Sequence, residues 1–321
     1  MTKFKKTSMS LFVIGVTWLP SAFATNYFAG IDALYLQPRN DDLDYVGVFN
    51  ANGSFRISNL DPDFQWGFRL YTGKGFNNNN DVTLSWQHLH SSNSGDTLGG
   101  LDSPIFPKWL FVSIWQNIHG HATFDYDEVY AVLAHTQNFQ SPWQVRYGFG
   151  PEYARIHSEV NVSAFNLNSS IAVGHSDASH FNGIGPRFEG NLFYNLNKSL
   201  NVFINANTAL LIGDRDVSLN ATDKIDNTSK IYSGHNTVVP KVGFQLGINY
   251  SQPIGIIGGA GGVATTIDLQ AGWQTETYFS AIEHAEAGII GGEGASLLTT
   301  KTSNYNNQGV FLGGKLRTNC L

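Results

Sequence analysis

The chain has 321 residues, a formal net charge of −6 and a single cysteine, Cys320. One cysteine excludes a disulfide-stapled fold, and the acidic balance argues against a nucleic-acid partner. The length suffices for one large domain or two smaller ones.

The chain opens MTKFKKTSMSLFVIGVTWLPSAFATN, with Lys3, Lys5 and Lys6 ahead of an apolar run from Met9 to Leu19. Ala22 and Ala24 then flank Phe23 in an Ala-x-Ala pattern. That order predicts a secretory signal peptide over 1–24, cleaved after Ala24, with an apolar run too short to span a bilayer. The mature chain, 25–321, reads as one domain. Losing the leader removes three of nineteen basic residues and none of twenty-five acidic ones, so the mature charge is −9.

The first extended segment lies near 27–37 and is followed by a long connection, 38–63. In the second, 64–75, Phe64, Trp66, Phe68 and Leu70 alternate with Gln65, Gly67 and Arg69. The short turn GFNNNN leads to the third, 81–90, where Val82, Leu84 and Trp86 oppose Thr83, Ser85 and Gln87. A long stretch (91–121), a fourth segment near 122–136 and the short TQNFQS follow. The fifth, 143–156, sets Trp143, Val145, Tyr147 and Phe149 against Gln144, Arg146 and Gly148. After 157–181 come segments at 182–195 and 199–213, joined by LNKS, then the long 214–237. The eighth, 238–250, alternates most strictly: Val242, Phe244, Leu246, Ile248 and Tyr250 against Lys241, Gly243, Gln245, Gly247 and Asn249. A Gly-rich turn (251–264), a ninth segment at 265–278, a long connection (279–306) and a tenth at 307–317 complete the series.

Period-two alternation over about ten such segments predicts strands. Val242–Ile267 carries no charge, yet Pro253 and the glycines of NYSQPIGIIGGAGG exclude a membrane helix there. Long and short connections alternate, beginning and ending with a long one. Outer-membrane barrels are built this way, with short periplasmic turns, long extracellular loops and both termini in the periplasm. A soluble β-sandwich is the competing architecture, but its Greek-key connections have no reason to alternate in length. The expected fold is all-β: a closed antiparallel transmembrane barrel of about ten strands, with twelve as the alternative. Trp66, Trp86, Trp143, Tyr250 and Trp273 fall on apolar faces toward strand ends, as an aromatic girdle requires.

Several blocks resemble, in order, the Legionella-type major outer-membrane proteins. They are DALYLQP (32–38), NNDVTLSWQHL (79–89), FDYDEVYAVLA (124–134), GPEYARI (150–156), FNGIGPRFEGNLFYNL (181–196), NTALLIG (207–213), VVPKVGFQLGINYS (238–251) and AGWQTETYF (271–279). The resemblance spans most of the mature chain and fades in the long connections. It implies an outer-membrane location and a porin-like pore for passive diffusion of small solutes or ions, and names no solute. Two departures stand out: the chain ends in Leu321 rather than an aromatic residue, and YAVLAH is apolar on its lumen side.

With these facings, Arg69, Gln87, Arg146, Arg187, Glu189, Lys241, Gln245, Asp268, Gln270, Glu276 and Lys315 are the candidate lumen-lining residues, with Arg317 a further one. Opposed charges across a narrow lumen would tune ion selectivity. They would equally plug it by pairing, since eight-stranded barrels are filled by side chains and open porins have sixteen strands or more. HSSNSG (90–95) resembles the His-x-Ser-Asn-Gly stretch of outer-membrane phospholipases, but no third group orienting the imidazole is visible. HLH (His88, His90) and HGH (His119, His121) have the i, i+2 spacing that could face a metal, without a completing cysteine or carboxylate.

The sequence therefore assigns no catalytic or metal-binding residue and implies no cofactor or enzyme activity. Expected partners are outer-membrane lipid and lipopolysaccharide, the barrel-assembly machinery and periplasmic chaperones, and host or surface ligands at the extracellular loops. A structural or adhesin-type barrel and a lipid-modifying enzyme remain the alternative functions.

Overall fold

The structure, a computed structural model, describes residues 26–40, 43–49, 53–76, 79–99, 105–107, 115–165, 171–223, 227–257, 263–290 and 295–320. The predicted signal peptide lies outside the described residues. Ten strands close a barrel: β1 (Asn26–Asn40), β4 (Gln65–Phe76), β5 (Asn80–Leu98), β7 (Asn117–Asn138), β8 (Trp143–Phe165), β9 (Ile171–Asn195), β10 (Leu200–Asp223), β11 (Asn227–Ile257), β12 (Val263–Ile290) and β13 (Ala295–Cys320). Each pairs antiparallel with the next in the chain, and β13 returns to β1 from Asn26↔Asn319 to Asn40↔Tyr305. Closure leaves no unpaired edge for lipid to meet. Three short strands, β2 (Asp44–Phe49), β3 (Phe55–Asn59) and β6 (Ile105–Pro107), form a separate sheet.

The end that carries both termini has the tight connections, such as 76–80, 138–143 and 195–200. By the barrel rule it is the periplasmic end. At the opposite end the long connections are mostly strand: β8 and β9 consume all of 157–181 except 166–170, and β10 and β11 all of 214–237 except 224–226. Pattern reading missed these extensions because their outer face is polar, so the greasy-out signature stops where lipid stops.

That boundary is visible strand by strand. On β8 the outward residues are Trp143, Val145, Tyr147, Phe149, Pro151 and Tyr153, then Arg155, His157 and Glu159. The apolar part, 143–153, rises roughly 25 Å for a strand tilted by about 45° at about 3.4 Å per residue, matching a bilayer's apolar band. On β5, Val82, Leu84 and Trp86 are exposed outward while Ser85 and Gln87 are buried, and His88 begins the polar extension. Trp66 is 70% exposed and packs on Tyr35 with ring centroids 4.9 Å apart. Trp273, followed outward by Thr275 and Thr277, also lies toward the extracellular side. Trp143, stacked on Tyr194 at 4.7 Å, and Tyr250 lie toward the periplasmic end.

The interior is not uniformly polar. Leu34, Leu36, Leu89, Phe124, Ile156, Phe181, Leu211 and Val239 are buried inside the extracellular half and form one apolar core. The small sheet closes the mouth above it. Leu43, Tyr45, Leu60 and Ile105 are buried there, and Tyr45 and Leu60 lie against the inner faces of Gly95 and Gly120. Asn93 Nδ2 donates to Asp61 O (2.6 Å) and Gln37 Nε2 to Pro62 O (2.7 Å), tying this segment to the barrel wall. The apolar stretch 104–120 thus divides between roles. Ile105, in β6 of the cap, pairs with Trp115 and both are buried, Ile118 belongs to β7, and 108–114 lie outside the described residues. The apolar lumen side of YAVLAH is also explained: Val132 and Ala134 fill the space over Gly148, where a Cβ would approach Val132 Cγ1 to 2.6 Å.

Candidate functional site

Below the apolar core a layer of charge crosses the barrel. Lys241, on the inner face of β11, is 0% exposed. Its Nζ is paired with Glu128 of β7, and lies 3.3 Å from Glu152 of β8 and 3.4 Å from Glu276 of β12. Arg187 of β9 donates through Nη1 to Glu128 (2.8 Å) and Glu152 (2.6 Å), with its guanidinium 3.9 Å from the Tyr130 ring centroid. Three carboxylates thus face two cations. Hydroxyl and amide donors supply the rest: Glu276 Oε2 accepts from Tyr126 (3.0 Å), Gln87 (3.3 Å) and Asn307 (3.4 Å). Tyr126, Tyr278 and Tyr305, all fully buried, form an aromatic floor between this knot and the apolar core, with centroids 5.5–6.2 Å apart. The strands bring these residues together because inward positions alternate, and neighbouring strands place equal-height residues on one level.

On the periplasmic side of the knot the lumen opens into a cavity of about 470 Å³, reached from the end where Asn26, Phe76, Asn80 and Gln144 lie. Asp32 holds Arg69 there (2.7 Å) and accepts from Gln270 (2.6 Å). Gly313 makes that possible, since a Cβ would come within 1.9 Å of Asp32 Oδ1. Arg146 grips Asp81 with Nε (3.0 Å) and Nη2 (2.7 Å) and is also paired with Glu189. Asp268 takes Arg317 at 2.7 Å, Lys315 at 3.4 Å and Ser251 at 2.6 Å. Gln245 donates to Gln274 at 3.1 Å.

The structure therefore places Gln87, Arg187, Lys241 and Glu276 in the knot, Arg69, Arg146, Glu189, Gln245, Gln270, Lys315 and Arg317 around the cavity, and Asp268 behind it, holding Lys315 and Arg317. Sequence reading passed over Asp32, Asp81, Glu128, Glu152, Tyr126 and Tyr278. Glu152 shares the parity of Arg146 and Gly148, so simple counting finds it. Glu128 is obscured because its inward neighbours Phe124, Tyr126 and Tyr130 are aromatic, which erases the polar-in pattern on β7.

The histidines separate from one another. His88 pairs across with Asp127 (2.9 Å), His119 with Asp96 (2.8 Å), and His121 faces Ser94 (2.7 Å), so HLH and HGH do not meet. Among the described residues no three His, Cys, Asp or Glu side chains are grouped to hold a metal. His90 is bonded to Asp125, while Ser92 lies 3.4 Å from His121 Nε2.

On the outer face of the extension, His157 and His180 stack at 3.9 Å. Burial, then the neighbouring His157 and Arg155, hold the His180 imidazole below the ordinary histidine range, partly offset by Asp216 and Glu159. A lowered folded-state pKa means that the unfolded segment binds the proton more readily. Stability is then full above about pH 6.5 and lost as pH falls from there toward the lower folded value. Hydrogen exchange, corrected for intrinsic rates, should show protection of 155–182 falling between pH 7.5 and 5. Replacing both rings, His157→Phe with His180→Phe, should weaken that dependence and leave the part set by His175, whose imidazole is also held low by burial.

An apolar outer belt of bilayer height, a closed ten-stranded sheet and an interior of paired charges define an outer-membrane β-barrel protein. A family model described as Legionella pneumophila major outer membrane protein precursor matches residues 20–318, and the chain belongs to that family. No curated protein is significantly similar to it. Among solved structures it is similar to the outer membrane protease OmpT from Escherichia coli, at 8% identity and a TM-score of 0.45, covering 92% of this chain and 96% of that one. It is also similar to the P. putida toluene transporter TodX, at 7% identity and a TM-score of 0.34, covering 93% and 90%. OprG from Pseudomonas aeruginosa gives 9% identity and a TM-score of 0.30, covering 92% and 96%. Likeness at this level assigns no activity.

Proposed function

We propose that the protein is a gated pore of small bore, closed at rest by the charged knot and tyrosine floor together with the apolar core and cap above them, and passing small ions or solutes when these layers rearrange. The observation that carries this reading is the material of the closure. A barrel with only a structural task can fill its midplane with hydrocarbon, whereas buried ion pairs carry a desolvation penalty. Here Glu128 and Glu152 are each shared between Lys241 and Arg187, so a partner can be released without leaving a carboxylate unpaired. The cavity, lined by charged and amide side chains, gives solute a way to the knot from the periplasmic side. On the same reading, residues 1–24 are a cleaved export signal for the single domain 25–321. The barrel-assembly machinery inserts that domain, and lipid and lipopolysaccharide surround its belt.

A second reading, a barrel acting through its extracellular surface, is favoured by strand length. The strands β8 to β13 run 23 to 31 residues, against about 9–11 needed to span. Planar-bilayer recording separates the two. The gated pore gives a closed baseline with discrete brief openings that grow more frequent with voltage. A silent bilayer across voltages at which an open porin conducts, with the protein shown to be folded, would leave the surface reading.

A further inference from the structure

The wall of the extracellular mouth contains an arrangement that the pore does not use. β12 carries an irregularity between Tyr278 and Ile282, with Ser280 in the left-handed region (φ 55°). Such a φ is uncommon for a residue other than glycine, and strain of this kind concentrates at functional positions. The bulge advances β12 by two residues against β13: Tyr278 opposes Tyr305, but Ile282 opposes Ser303. Without the shift Ser303 would face residue 280, and His284 would lie four positions away and out of reach. With it they are diagonal neighbours, and His284 Nε2 lies 3.2 Å from Ser303 Oγ. Arg215 fastens the bulge, donating to Ser280 O (2.6 Å) and Glu283 (2.7 Å). Glu283 N donates to Ser179 Oγ of β9 (3.0 Å), so β12 leans across the mouth. That lean brings Asp177 Oδ2 to 3.2 Å from His284 Nδ1.

We propose that Ser303, His284 and Asp177 are a nucleophile, base and orienting carboxylate that hydrolyse short-chain carboxylic esters. The contacts have the connectivity that such chemistry needs: serine to one imidazole nitrogen, carboxylate to the other. With Nδ1–H donating to Asp177, Nε2 is the acceptor and is aimed at the Ser303 hydroxyl. Asn40 Nδ2 lies 3.0 Å from the same Nε2 and shares its lone pair with the Ser303 hydroxyl in the resting site; turning that amide toward the developing oxyanion would free Nε2 for the serine proton. Ser303, His284 and Asp177 are 5%, 7% and 7% exposed. Val160 and Leu219, which flank Asp177 on the neighbouring strands, are buried and apolar, as is Ile282. Little exposure and apolar walls select a small, uncharged acyl group.

In the reaction, the Ser303 Oγ–H proton passes to His284 Nε2 as Oγ bonds to the carbonyl carbon, and the carbonyl oxygen takes the electron pair. Collapse breaks the ester C–O bond, and the leaving alcohol receives the proton from Nε2. Water then repeats the sequence on the acyl-serine, releasing the carboxylic acid and restoring the hydroxyl.

The test uses the full-length folded barrel in detergent, its folding checked by heat-modifiable migration. A fluorophosphonate probe should label Ser303, located by peptide mass spectrometry. Hydrolysis of p-nitrophenyl butyrate should fall at least about a hundredfold in Ser303→Ala and in His284→Gln. Ser92→Ala, on the outer face of the polar extension, should keep the wild-type rate. Folded wild-type protein that takes no probe at Ser303, takes it at another serine instead, or hydrolyses no faster than Ser303→Ala would overturn the proposal. The labelling arm needs no variant, so misfolding of a mutant cannot obscure the result.

Discussion

Lys241→Met is expected to destabilise the barrel by about 3–5 kcal/mol, the range for removing one partner of a buried ion pair, and to turn a quiet lumen into a cation-preferring leak. Among the described residues the ammonium is the one group in contact with Glu128, Glu152 and Glu276 together. Without it these carboxylates keep Arg187, which reaches Glu128 and Glu152 but not Glu276 and is itself shared with Glu189, and the hydrogen-bond donors around Glu276. Methionine restores most of the stem's volume, so packing is nearly conserved and the effect is electrostatic. Uncompensated negative charge draws in water and cations from the cavity below. The urea midpoint of the heat-modifiable form reads the stability, and reversal potential across a KCl gradient reads the selectivity. Adding Glu128→Gln should recover part of the stability and reduce the cation preference, because it removes one of the stranded charges. Wild-type stability together with wild-type silence in Lys241→Met would mean that the knot is neither a stabilising element nor the gate.

Why the sequence revealed the wall better than its contents follows from where each signal comes from. Lipid imposes one rule on every spanning strand, so Val82, Leu84 and Trp86 on β5 and Phe244, Leu246 and Ile248 on β11 announce their outward face without reference to partners. The inward charges Arg187 and Lys241 were legible by parity for the same reason. What they hold was not, because Lys241 and Glu128 are 113 residues apart and meet only once the barrel has closed. Above the membrane the rule lapses. There the outer face is polar and much of the inner face apolar, so strand extensions such as those of β8 and β9 read as long loops. The triad-like contact among Asp177, His284 and Ser303 lay beyond sequence reading altogether, since it depends on a two-residue bulge and on β12 leaning over the mouth. The cap strands β2, β3 and β6 were hidden by shortness: six, five and three residues carry too little alternation to separate from loop.

Tyr126→Ala is the second large effect expected, and with Tyr126→Phe it separates the two layers of the closure. Tyr126 is fully buried; its hydroxyl donates to Glu276 at 3.0 Å and lies 2.9 Å from that of Tyr278, and its ring packs 5.5 Å from Tyr305. Truncation to alanine removes a ring from a packed floor, a change that costs about 3–5 kcal/mol for large aromatic residues. The vacated space joins the knot to the apolar core, which bilayer recordings should register as openings of longer lifetime. Phenylalanine keeps the ring and removes only the hydroxyl, at a cost of about 1–3 kcal/mol for a buried partner left short of a hydrogen bond. Its lumen should stay as quiet as the wild type. If the floor is the barrier, the alanine variant alone conducts. If the ion pairs are the barrier, Lys241→Met conducts and both Tyr126 variants remain silent. Because Tyr126 and Lys241 share Glu276, their combined loss should depart from the sum of the single effects by more than the roughly 0.5 kcal/mol seen for independent sites. Simple additivity would show that floor and knot respond separately, and the closure would then be two gates in series rather than one.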